Sequence, residues 1–169
     1  METTGMYAPR GWTTQRGINR LLKPFLLHPQ PGAKTFKDYD PFAGISGSTA
    51  HRLLTKLPVK NLTDRQNNAP NCAELLEIAT QENQNLELFG YAIGPGRYDE
   101  RITIEGFIYY GELNPQISPL IQKPAQELPL WEALTNRLGL NSYLTPPDEI
   151  HYLRPHWNLS QAGWWVWWD

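Results

Sequence analysis

The chain holds one cysteine, Cys72, among 169 residues. No internal disulfide can form, and a reducing, cytoplasmic setting is the default expectation. Cys72 itself reads as a small, partly buried helix residue rather than a nucleophile, because no histidine flanks it. Long apolar runs are also missing. None approaches the roughly 18 residues of a membrane-spanning helix, so no membrane association is expected. The first fourteen residues show no apolar stretch behind a basic segment, so no secretory signal is expected.

Ligand-spaced residues are equally scarce. The four histidines are scattered: His28 and His51 stand alone, and His151 and His156 flank Pro155 at a spacing that puts them on opposite faces of a strand. Zinc needs three or four converging ligands, so no metal site is expected. The turn Gly94-Pro95-Gly96 lacks the following Gly-Lys-Ser/Thr of a phosphate loop and leads into a strand, so it reads as turn geometry. No internal repeat or low-complexity tract occurs. No cofactor is implied.

What the chain does hold is aromatic residues and an uneven charge. Net charge is −2, but residues 1–65 carry ten basic and four acidic side chains, while residues 66–169 carry five and thirteen. The first part is therefore net +6 and the second net −8. Two readings follow: the basic part faces a polyanion, or the two parts attract each other in the folded chain.

The periodicities predict an α+β domain, with three or four short helices packed on a small antiparallel sheet. Residues 1–12 read as a flexible N-terminal arm and 13–169 as a single compact domain. Ile18, Leu21, Leu22 and Phe25 make a helical stripe capped by Thr13 or Thr14 and ended by Pro24. Residues 28–47, with three prolines and three glycines, read as a long surface loop. Residues 48–57 predict a helix with Ala50, Leu53, Leu54 and Leu57 inward. Residues 61–71 are polar and turn-rich. Asn71 caps a helix from Cys72 to about Gln84, with Glu74 completing a capping box. Residues 86–93 and 101–110 alternate as two strands of a hairpin, with Gly106 marking a bulge. After a proline-rich connection (Pro115, Pro119, Pro124), Pro129 opens a helix with Trp131, Leu134 and Leu138 inward and Gly139 at its end. His151 to Arg154 and Trp164 to Trp168 read as a last hairpin.

Three groups of side chains are candidates for function. Arg97, Asp99, Glu100, Arg101 and Glu105 surround the central turn, where acids could serve as acid/base groups or simply pair with the arginines. Ser48-Thr49-Ala50-His51-Arg52-Leu53-Leu54-Thr55-Lys56-Leu57 resembles the recognition helix of winged helix-turn-helix repressors of the isocitrate-lyase-regulator type. That resemblance covers ten of the 169 residues and implies Ser48, Thr49, His51 and Arg52 at bases or phosphates, with Lys34, Lys37 and Lys56 adding positive charge. Trp164, Trp165, Trp167 and Trp168 crowd one strand, which implies either a core strand covered on both sides or an interface; aromatics also stack on unpaired bases and sugars.

The function expected from these residues is a non-enzymatic binding or accessory module with a protein partner, its oligomeric state left open. A nucleic-acid-binding protein using the basic 1–65 segment is one alternative. A small enzyme, with a site at Asp99, Glu100 and Glu105 or at His51 and His151, is the other.

Overall fold

The alternating residues of 86–93 and 101–109 form the centre of a five-stranded antiparallel sheet. The computed structural model describes residues 4–113, 127–140 and 145–169. The proline-rich connection expected around Pro115, Pro119 and Pro124 lies outside the described residues.

The elements in chain order are α1 (Trp12–Gln15), α2 (Ile18–Leu22), β1 (Asp40–Ile45), α3 (Gly47–Lys56), α4 (Val59–Leu62), α5 (Cys72–Glu82), β2 (Leu86–Ile93), β3 (Arg101–Tyr109), α6 (Glu127–Leu138), β4 (Glu149–Leu153) and β5 (Gly163–Trp167). The sheet order is β1-β2-β3-β5-β4, and every pair is antiparallel. The α+β architecture read from the sequence is the one observed.

Period-2 alternation divides the sheet into two faces. The inner face presents Leu86, Leu88 and Ala92 from β2, Ile102, Ile104, Phe107 and Tyr109 from β3, and Trp164 and Val166 from β5. Onto it pack Leu53 of α3, Leu75 and Leu76 of α5, and Trp131 and Leu134 of α6, all buried. The capping box predicted for α5 is present. The Glu74 amide donates to the Asn71 side chain at 2.9 Å, and the Asn71 amide donates to the Glu74 carboxylate at 3.0 Å.

Local differences from the sequence reading have physical causes. The stripe expected as one helix over 13–22 is split into α1 and α2 by Gly17, whose φ of +72° is left-handed. The loop expected over 28–47 contains β1. Its Pro41 tolerates a strand because β1 is at the edge of the sheet, where a missing amide hydrogen costs no ladder bond. Gly44 (φ +90°) is the extra residue between the pairs Ala43–Phe89 and Ile45–Leu88, a bulge in β1. In β3 the extra residue is Glu105, between the pairs Gly106–Phe89 and Ile104–Gly90, one position from the glycine expected to mark the bulge.

The N-terminal half of β3 lies beyond the reach of β5, which pairs only from Gly106 onward. Asn61, fully buried at the end of α4, completes that edge. Its amide oxygen accepts from Ile102 N–H and its amide nitrogen donates to Ile102 C=O, both at 2.9 Å. One side chain thus mimics a neighbouring strand. Asn61→Ala would leave both backbone groups buried without partners, so it is expected to cost about 2–3 kcal/mol. Urea denaturation measures this; a loss under about 1 kcal/mol would mean that the edge of β3 finds other partners.

Residues 6–12, read from the sequence as a flexible arm, lie against the β2–β3 connection. Met6 N–H donates to Tyr98 C=O at 2.9 Å, and the Arg10 guanidinium donates to Pro95 C=O at 3.0 Å and Gly96 C=O at 2.5 Å. Among the described residues no helix is long and apolar enough to cross a membrane.

Candidate binding face

Among the described residues no helix covers the outer face of the sheet, and its middle is aromatic. Alternation along β5 turns Trp164 inward and Trp165 outward, Val166 inward and Trp167 outward. The four indoles, read from the sequence as either core or interface, are therefore divided. Trp164 and Trp168 are buried, Trp168 against Phe107 and edge-on to Trp131. Trp165 and Trp167 are half-buried on the opposite face, their rings 6.1 Å apart and nearly parallel.

Trp165 stands between two further rings. Phe89 of β2 stacks on it at 5.6 Å with planes 6° apart, and His151 of β4 stacks at 5.8 Å. Phe89 and Trp165 lie on strands separated by β3, and they meet because Gly106 has no side chain. A Cβ there would come within 2.7 Å of the Phe89 ring and 2.0 Å of the Val166 carbonyl oxygen. The glycine expected only to mark a bulge is thus the opening through which an aromatic row forms across three strands.

A fourth ring is carried by the segment after β4. Glu87, outward on β2, accepts from Trp157 Nε1–H at 2.5 Å and from the Asn158 amide at 3.2 Å. These bonds hold Trp157 tilted against Phe89 at 5.7 Å. Between this segment and the sheet lies a cleft of about 420 Å³, lined by Phe89, Trp157 and Trp165, by Arg154 and His156, and by Glu105. The chain's own geometry explains why Glu105 lies there: a bulged residue is displaced from the ladder, and its side chain is re-aimed.

Glu105 differs from its neighbours. Glu87 is bonded as described, and His151 contacts Glu149 at 2.9 Å. Asp99 receives a two-point contact from Arg97 at 2.8 Å and one from Arg101 at 2.6 Å. Partial burial alone would raise the Asp99 carboxyl, but the bonds from Arg97 and Arg101 outweigh it and hold it below the ordinary value. Glu105 has no such contact with any described residue, and its carboxyl stands above the ordinary value, first because of burial and then because of the nearby Asp169 charge. A carboxyl raised in this way favours the fold below its unfolded-state pKa, and that contribution is lost as pH rises through the folded value. Glu105→Gln is therefore expected to melt no lower than the native chain near neutral pH, as differential scanning calorimetry would show.

The five residues grouped at the central turn serve different ends. Arg97, Asp99 and Arg101 pair among themselves. Glu100 is buried, and its carboxylate accepts from Gly11 N–H at 2.6 Å, Thr13 N–H at 3.0 Å and the Thr13 hydroxyl at 2.6 Å. It anchors the start of α1. Of the five, Glu105 is the one that lines a cleft formed by described residues.

The basic candidates are spread over the helical side. Ser48, His51 and Arg52 are exposed on α3, with Thr49 half-buried beside them. The residues directly before α3 form the strand β1, not the first helix that a helix-turn-helix sets against its recognition helix. Lys56 and Arg16 each donate to the other's backbone carbonyl, at 3.4 and 3.0 Å, tying the end of α3 to α1. Lys37 is exposed, while its backbone N–H donates to Asp40. Lys34 lines a second cleft of about 420 Å³ with Arg20 and Lys23, two cations not singled out from the sequence.

His51 on α3 and His151 on β4 lie on opposite sides of the sheet and form no joint site. Burial pushes the Cys72 thiol up to about 12, so the thiol is unreactive at neutral pH. Among the described residues no three His, Cys, Asp or Glu side chains converge as metal ligands. Compared with known protein families, curated proteins and solved structures, the chain matches none.

Proposed function

We propose that this protein is a non-enzymatic binding module that takes a protein partner on the outer face of its sheet. The observation that carries this reading is the row of buried Phe89 and half-buried Trp165 and Trp167, extended by half-buried Trp157, on a face that no described helix covers. Large rigid rings supply contact area at little entropic cost, and tryptophan is enriched where interfaces concentrate their energy.

The test is recovery of partners from the source cell on tagged chain, native against Trp167→Ser. Trp167 caps the row and touches the core little, so the variant is expected to keep its stability within about 1 kcal/mol and to recover at least roughly tenfold less partner. Equal recovery on the variant would refute the reading. A nuclease-treated arm tests a second one, which the grouping of Arg20, Lys23 and Lys34 around one cleft favours: a nucleic-acid-binding face on the helical side. Partners lost on nuclease treatment and at raised salt would support that face instead.

A further inference from the structure

The cleft beside Trp165 has one acidic group and no cation assigned to it. On the outer face Glu87, Asp99 and Glu149 each have a bonded partner, and Asp148 accepts from the Asp169 amide at 2.8 Å. Glu105 alone among these lies half-buried with neither a hydrogen bond nor an ion pair to any described residue, and the nearby charge of Asp169 is of its own sign. A carboxylate kept partly out of water with no counter-ion is costly, and such groups cluster where a ligand supplies the missing charge. Around it the cleft walls are π systems, Phe89, Trp157 and Trp165, which attract cations through their negative faces. Arg154 and His156 line the cleft from the segment after β4, and neither is paired with Glu105. Arg154 is exposed to solvent, whereas Glu105 is held on the sheet.

Resting on the binding-module reading, we propose that this cleft seats a basic side chain of the protein partner, an arginine or lysine, whose charge meets Glu105 while its stem and head lie against Phe89, Trp157 and Trp165. The cleft shares Trp165 with the aromatic row, so the cation arrives as part of the surface that covers that row. It supplies specificity, because a neutral residue there would leave Glu105 buried and unpaired.

The experiment uses the full chain and a minimal probe. N-acetyl-L-arginine amide is titrated while the indole N–H resonances are followed by NMR, with N-acetyl-L-norleucine amide as the neutral control and N-acetyl-L-glutamate amide as the anionic one. Saturable shifts of the Trp157 and Trp165 signals are expected with a dissociation constant on the order of 1–10 mM. The norleucine probe should bind roughly tenfold more weakly, and Glu105→Gln should lose roughly tenfold for arginine without a lower melting temperature. Equal binding of arginine and norleucine probes, or undiminished arginine binding by the variant, would overturn the cation assignment while leaving the aromatic face as a contact surface. Preference for the glutamate probe would also overturn it, assigning the cleft to Arg154 and His156. Absence of any shift would overturn it outright. Partner recovery by Trp167→Ser tests the wider reading independently.

Discussion

Replacing Glu100 by alanine is expected to destabilise the fold by about 3–5 kcal/mol. The carboxylate is 1% exposed and receives three hydrogen bonds from Gly11 and Thr13, residues 89 and 87 positions earlier in the chain. Charge-assisted bonds of this kind contribute more than neutral ones, and removing the acceptor strands two backbone amides and a hydroxyl in a dry site. Trp12 is buried beside them and donates from Nε1 to the Glu100 carbonyl at 3.3 Å, so the loss extends to its packing. Glu100→Gln keeps the shape but replaces one oxygen by a donor that faces donors, so most of the loss should remain. Urea denaturation of both variants, followed by tryptophan fluorescence, checks this. A loss under about 1 kcal/mol for alanine would show that water replaces the carboxylate.

A loss of similar size, about 3–5 kcal/mol, is expected for Trp168→Ala. Trp168 is the largest side chain that is essentially inaccessible to solvent, at 1% exposure. It packs on Phe107 at 6.2 Å and edge-on to Trp131 at 5.4 Å between ring centres, and its Nε1–H donates to Thr145 C=O at 3.4 Å. Truncation removes the burial of an indole and opens a cavity between β3 and α6 that both elements can close only in part. Trp167→Ser, one position away but on the other face, should cost far less. Calorimetric melting of the two variants side by side measures the division of the strand; equal losses would contradict it.

That division shows what the sequence could and could not reveal. Crowded tryptophans at 164–168 announced a strand, and the order of residues already assigned 164 and 168 to one face and 165 and 167 to the other. What it could not supply was which face the helices cover, because that depends on Phe107 and Trp131, far away in the chain. Helix α5 was legible because its cap, its stripe and its length all agreed. β1 was not, because Pro41 and Gly44 inside six residues read as a loop unless the strand is known to sit at an edge. α4 is a single turn, too short to show a period, yet it carries Asn61, whose bonds to Ile102 span 41 positions.

The candidate site was legible in its members and not in its grouping. Glu105 was noticed with the acids of the turn, but the bulge separates it from them and directs it toward Phe89, Trp157 and Trp165. Phe89 and Trp157 had no local signal. They matter only because Gly106 leaves space across β3 and because Glu87 holds Trp157 in place, and both facts belong to register rather than to composition.

The strand order β1-β2-β3-β5-β4 also sets a sequence of events. β1, β2 and β3 are neighbours in the sheet, but β4 has no partner until β5, which follows it in the chain, has been made. A nascent chain therefore passes through a stage in which the C-terminal half of β3 is bare and β4 waits as an unpaired segment. That stage exposes tryptophans and free strand edges together, so it is where self-association would compete with folding. The last-made strand acts as the keystone, and the aromatic face comes into being only when it is set.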